Sequence, residues 1–216
     1  MPAQRIQIRK QDLAIKLERV GRHSQPKVAL EQYTIPATLA ANILFTACYV
    51  HDDIQGKSVI DLGTGTGRLA LGASILGAEY VAGVDVDRSS LNLAAENSKA
   101  LAADVDWVLG EIETIRGPVD TVLMNPPFGT KQAHADLHFL RCALNLGRVV
   151  YSIHKSSTRK FLSEWLQNQG IKNMEVTIAK MEIPHQFSFH RKRRHLVEID
   201  VLRIERSQVQ TEPALI

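Results

Sequence analysis

Residues 58–67 constrain the fold more than any other stretch of the chain. Ser58-Val59-Ile60-Asp61-Leu62 is a short apolar run that reads as a buried strand, and Gly63-Thr64-Gly65-Thr66-Gly67 follows it directly. Residues 68–76 then read as a helix, with Gly77 as its C′ residue. A strand that feeds a helix through a glycine loop is the unit of a layered α/β sheet. The same alternation continues downstream. Strands are predicted near 80–86, 106–109, 119–124 and 148–153, with helices near 88–102, 136–146 and 158–169. Two last strands, near 174–180 and 196–204, have no full helix between them and fit a hairpin. The expected fold is α/β, with a doubly wound, mostly parallel seven-stranded sheet and an antiparallel last strand.

The 216 residues suit one such sheet and hardly more. A hydrophobic share of 44% and a charged share of 23% exclude wholesale disorder. The longest apolar stretch, residues 39–50, is interrupted by Asn42 and Thr46 and is too short to span a bilayer, so no membrane association is expected. The first residues, MPAQRIQIRK, lack an apolar signal region, which argues for a cytoplasmic chain. Cys48 and Cys142 are far apart and read as reduced buried thiols, and no metal-ligand spacing is present.

Ahead of the sheet, Leu13, Leu17 and Val20 recur at helical spacing, and a second helix is expected from Pro36 to Val50 with the proline in its first turn. The chain divides into an N-terminal helical extension (1–50), a sheet domain (51–206) and a disordered tail (207–216). Net charge is only +3, but the basic residues gather in 1–27 and in His190-Arg191-Lys192-Arg193-Arg194-His195. The second cluster, with Phe187 and Phe189 beside it, reads as an RNA-backbone contact whose phenylalanines stack on bases or anchor the loop. Lys155 joins it, since His154-Lys155 either guides RNA or caps the helix that follows.

The glycine loop has the spacing G-x-G-x-G, not the G-x-G-x-x-G of dinucleotide sites. Asp61 sits two residues before Gly63. An acid there repels a pyrophosphate and suits the ammonium and sulfonium groups of S-adenosylmethionine. Asp85, at the end of the second strand, is placed to accept from ribose hydroxyls, and Glu111-Ile112, after the third, to meet an adenine ring. Cofactor contacts are therefore expected at Asp61, Gly63, Gly65, Thr66, Gly67, Asp85, Glu111, Ile112 and Asn125. A plain strand–turn–helix junction is the alternative.

Asn125-Pro126-Pro127-Phe128 follows the fourth strand. An exocyclic amine on an aromatic base is a poor nucleophile because its lone pair is delocalised into the ring. The Asn125 carboxamide oxygen and the Pro126 carbonyl can accept its two hydrogens and free that lone pair for attack on a sulfonium methyl. Pro126 and Pro127 stiffen the loop, and Phe128 offers a face for a flipped base. Both hydrogen bonds strengthen as the nitrogen gains charge, each contributing about 1.5–3 kcal/mol. Guanine N2 and a protein glutamine amide satisfy the same geometry, and a non-catalytic RNA-binding module on the same fold is a further alternative.

These residues resemble the class I S-adenosylmethionine-dependent methyltransferases with an Asn-Pro-Pro-Phe active site. They are most similar to the archaeal and eukaryotic methyltransferase-like-five type, which makes N6-methyladenosine in small-subunit ribosomal RNA. The matching stretches are Leu30-Glu31-Gln32-Tyr33, residues 61–67, Gly83-Val84-Asp85-Val86-Asp87, residues 124–131 and Tyr151-Ser152-Ile153-His154-Lys155-Ser156-Ser157-Thr158. The resemblance implies that Gln32 and Thr34 close over the cofactor. It also implies a small zinc-binding activator protein as partner. The edge of the third strand, Asp106 to Leu109, is a candidate docking surface for it by strand addition, with Trp107 either an interface aromatic or a core residue. Thr64 and Thr66 stand where the family often has Cys.

Overall fold

The computed structural model describes residues 7–23, 26–27, 30–32, 34–128, 135–184 and 194–206, with backbone alone at 183–184 and 194–195. The elements run α1 (Lys10–Glu18), α2 (Ala37–Tyr49), β1 (Ser58–Leu62), α3 (Arg68–Ile75), β2 (Tyr80–Asp85), α4 (Arg88–Leu101), β3 (Asp106–Leu109), β4 (Val119–Met124), α5 (Ala135–Leu146), β5 (Gly147–Lys155), α6 (Arg159–Asn168), β6 (Asn173–Pro184) and β7 (Arg194–Glu205). A 3-10 turn, Ile112–Thr114, lies between β3 and β4, and another, Ser156–Thr158, leads into α6.

The seven strands form one sheet in the order β3-β2-β1-β4-β5-β7-β6. The first five pair in parallel, and β7 runs antiparallel to both neighbours. The expected fold class is the one observed, hairpin included. Alternate residues along the central strands serve opposite faces. Val59, Val81, Leu123 and Val149 join a core with α1, α2 and α3. Ile60, Leu62, Val84, Val122 and Val150 join a second core with α5 and α6. Strands covered on both faces must be apolar at every position, which is why they read as continuous runs.

The N-terminal helices belong to the first core: Leu13 and Leu17 are fully buried, and α2 buries Ala40, Ala41, Leu44 and Ala47. Pro36 lies one position earlier than expected. It is the N-cap of α2, at φ −55° and ψ 139°, not a member of its first turn. Chain order reverses between β1 and β4, and both strands end at that switch point, where open α/β sheets bind ligands. Among the described residues, no helix is long and apolar enough to cross a membrane.

Candidate active site

The floor of the site is the loop after β1. Its three glycines all have positive φ: Gly63 at 66°, Gly65 at 56° and Gly67 at 86°. These values favour glycine, and two positions are closed to a side chain anyway. A Cβ on Gly63 would lie 2.9 Å from the Phe139 ring, and one on Gly67 2.5 Å from Trp107. Asp61 is 1% exposed at the end of β1. Its Oδ2 accepts from the Thr64 hydroxyl at 2.6 Å and from the Ala70 N–H at 3.1 Å. Burial outweighs these bonds and pushes the carboxyl up to about 7.

Asp85, at the end of β2, accepts from the Gly65 N–H at 2.8 Å through one oxygen and from the Asp87 N–H at 2.8 Å through the other. Burial raises its pKa too. Asp87 caps α4 and gathers the N-terminal segment: Lys27 Nζ donates to it at 2.6 Å and Gln32 Nε2 at 2.7 Å. Burial works to raise Asp87, but those bonds and Ser89 overcome it and hold the carboxyl well below the usual range.

A cavity of about 500 Å³ opens above this floor, within the range of small-molecule sites. Of the predicted cofactor residues, Gln32, Thr34, Asp61, Gly63, Gly65, Thr66, Asp85, Glu111, Ile112 and Asn125 line it. Gly67 shapes the turn behind it. Its carboxylates are Glu31, Asp61, Asp85, Glu111 and Glu113. Arg68 is also in the wall, but its guanidinium donates to the Ile35 carbonyl at 2.5 Å and the Val20 carbonyl at 3.1 Å, holding the N-terminal segment in place. An acid-rich cavity over backbone N–H groups already engaged by Asp85 is unsuited to a pyrophosphate and suits a cationic ligand with ribose hydroxyls.

The second feature is the loop after β4. Asn125 and Pro127 face the cavity. Asn125 Oδ1 is buried and has no hydrogen-bond partner among the described residues. Phe128 is half-buried, with its N–H donated to Glu31 Oε2 at 2.8 Å. The Lys155 ammonium stands 5.4 Å from the Phe128 ring centroid, and the residue is the N-cap of the 3-10 turn that leads into α6. His154 itself lies inside the sheet and caps no helix. It is 1% exposed and is bonded to Ser152 at 2.6 Å, with Asp136 at 3.8 Å. Phe187, Phe189, Arg191, Lys192 and Arg193 lie outside the described residues, as does the Arg194 side chain.

Several lining residues escaped sequence reasoning. His23, Glu31 and Arg68 enter through contacts distant in sequence, and His138 pairs with Glu113 across the cavity mouth. Only Glu31 carried a signal, inside the Leu30–Tyr33 stretch.

A doubly wound sheet with β7 reversed, a G-x-G-x-G floor and an Asn-Pro-Pro-Phe loop at the switch point define a class I S-adenosylmethionine-dependent methyltransferase. The comparisons narrow the class. Residues 43–125 match the family model "Ribosomal protein L11 methyltransferase (PrmA)", a match that covers the cofactor half and stops at Asn125. The rRNA N(6)-adenosine-methyltransferase Mettl5 of Drosophila melanogaster is 36% identical over 93% of this chain and 97% of its own, and METTL5 of Danio rerio 34% over 87% and 94%. An uncharacterized protein of Methanocaldococcus jannaschii is 39% identical over 94% and 97%. A crystal structure from Pyrococcus horikoshii superposes with a TM-score of 0.82 at 39% identity, covering 93% of this chain and 99% of that one. The chain belongs to the METTL5 family of methyltransferases.

Proposed function

We propose that the protein transfers a methyl group from S-adenosylmethionine to the N6 nitrogen of an adenosine in RNA, and that the RNA is that of the small ribosomal subunit. The observation that carries the reading is the buried Oδ1 of Asn125 at the end of β4, which has no partner among the described residues. A buried acceptor left unpaired costs about 1–3 kcal/mol, a cost relieved when a donor arrives. An exocyclic amine is such a donor. Full-length relatives named as rRNA N6-adenosine methyltransferases support adenine over guanine or glutamine.

The cavity fits the cofactor. Gly63, Gly65 and Thr66 would form its floor, Asp85 would meet the ribose, Ile112 and Glu111 the adenine, and Asp61 would supply negative charge toward its cationic end; all of them line the cavity. Bound there, S-adenosylmethionine supplies a methyl group on a positively charged sulfur. Asn125 and the Pro126 carbonyl accept the two amine hydrogens, which localises the nitrogen lone pair and stabilises the charge that develops on it. Pro126 and Pro127 keep those acceptors rigid, and Phe128 stacks on the base, adding about 1–3 kcal/mol. No strong base is needed, because the methylated nitrogen is acidic once formed. Arg191 to Arg194 are assigned to the RNA backbone, Phe187 and Phe189 to base stacking or to anchoring that loop, and the work is assigned to the cytoplasm.

A small zinc-binding activator is the proposed protein partner, docked along β3. That strand is an edge of the sheet with Leu109 exposed, while Trp107 faces inward against Gly67 and Gly83. Asn125→Ala tests the mechanism: RNA methylation falls about ten- to a hundred-fold or more, while calorimetric S-adenosylmethionine affinity falls far less. Unchanged turnover overturns it.

A further inference from the structure

The geometry points to Glu31 as a positioning residue that couples the cofactor site to the base-binding loop, an inference that rests on the methyltransferase reading and deepens it. Glu31 is 5% exposed and lines the cavity. Its backbone sits at φ 48°, in the left-handed region that a glutamate rarely adopts. That conformation turns its carboxylate toward the loop after β4, where Oε2 accepts the Phe128 N–H at 2.8 Å. The bond joins residues 97 apart in sequence. A carboxylate acceptor makes it charge-assisted, stronger than a neutral pair.

Glu31 does not stand alone. Its neighbour Gln32 donates to Asp87 at 2.7 Å and to Ser90 at 3.1 Å. The Asp87 N–H donates to Asp85 at 2.8 Å, and the other Asp85 oxygen holds the Gly65 N–H at 2.8 Å. A continuous path therefore runs from the glycine loop through Asp85, Asp87, Gln32 and Glu31 to the backbone of Phe128. It rims the cavity that the cofactor fills. A ligand that orders residues 30–32 from inside the cavity also fixes the Phe128 amide, and with it the ring and the adjoining Asn125-Pro126 acceptors. A bound cofactor thereby steadies the base clamp. A wall residue with no such role would change cofactor affinity or stability and leave turnover alone.

Two measurements on the full chain test this. The first is steady-state RNA methylation by wild type, Glu31→Ala and Glu31→Gln. Glu31→Ala lowers kcat about ten- to a hundred-fold, with KM for S-adenosylmethionine within about threefold of wild type. Glu31→Gln, which keeps an acceptor, recovers most of that loss. A kcat unchanged in Glu31→Ala overturns the proposal, as does a raised KM with normal kcat. The second is hydrogen exchange at the Phe128 amide, read by NMR with and without S-adenosylhomocysteine. The product analogue slows exchange in wild type and Glu31→Gln and not in Glu31→Ala. Exchange in wild type that is indifferent to the analogue overturns the coupling, and this readout stands if Glu31→Ala does not fold. Absence of any RNA methylation by wild type would instead remove the substrate assignment, while amide exchange would still decide the coupling.

Discussion

Asp61 shows how one buried group ties chemistry to pH. Its carboxyl is pushed up to about 7 in the folded chain, against an ordinary value of 3.8. Between those values the native state holds a proton that the unfolded state has released, so the contribution of this group to stability is greatest below 3.8 and is lost as pH rises through about 7. A cationic ligand reverses the preference, because it favours the carboxylate. S-adenosylmethionine binding therefore releases a proton below pH 7, and affinity tightens by up to about tenfold per pH unit before levelling above it. Calorimetry between pH 5.5 and 8.5 checks this, with Asp61→Asn losing the slope; a flat profile in wild type contradicts it. Asp61 was legible because its spacing from Gly63 is local. Glu31 was not, because its contact with Phe128 spans 97 residues and depends on a left-handed backbone that no local pattern announces. His154 was misread for the opposite reason: beside Lys155 it reads as a surface cation, but its place in β5 turns it inward.

At the scale of elements, β2 and β3 are held together by one large ring over two glycines. A Cβ on Gly83 would fall 2.4 Å from Trp107 Cζ3, and one on Gly67 2.5 Å from its Cη2. Trp107 thus fills the space beside the turn into α3 and keeps β3 flat against β2. Gly83→Ala overpacks this contact and destabilises the chain by about 1–3 kcal/mol in urea unfolding; a neutral effect would mean the ring moves freely. Strand positions were legible because burial on both faces leaves apolar runs bounded by turns. β1, β3 and β4 begin and end where the sequence places them, at 58–62, 106–109 and 119–124. The inner ends of the β6–β7 hairpin were not: β6 runs on to Pro184 and β7 begins at Arg194, past the expected 180 and 196, through a polar and basic stretch with no apolar run to mark a strand.

Across the whole molecule, a buried ion pair joins the N-terminal helices to the reversed end of the sheet. Asp53, just after α2, accepts from Arg203 of β7 at 2.8 Å and from the Tyr151 hydroxyl of β5 at 2.6 Å. Burial, then the neighbouring Asp53, pushes Tyr151 far above its ordinary range. Thr121 of β4 adds a bond to the Asp53 carbonyl at 2.5 Å. Removing one partner strands a buried charge, so Arg203→Ala costs about 3–5 kcal/mol of stability, with S-adenosylmethionine affinity unchanged at temperatures where the variant is folded. A loss in the double variant equal to the sum of the losses in Asp53→Ala and Arg203→Ala would show the two contributing independently and would contradict it. The global architecture was legible from alternating elements, whereas this tie between segments 150 residues apart was not. The most direct test of the proposed activity is methylation of small-subunit ribosomal RNA with labelled S-adenosylmethionine, with and without the proposed zinc-binding activator, followed by digestion to nucleosides and mass spectrometry. Label in N6-methyladenosine is the predicted result. Label in N2-methylguanosine, or none in RNA when cofactor binding and activator are both present, would contradict it.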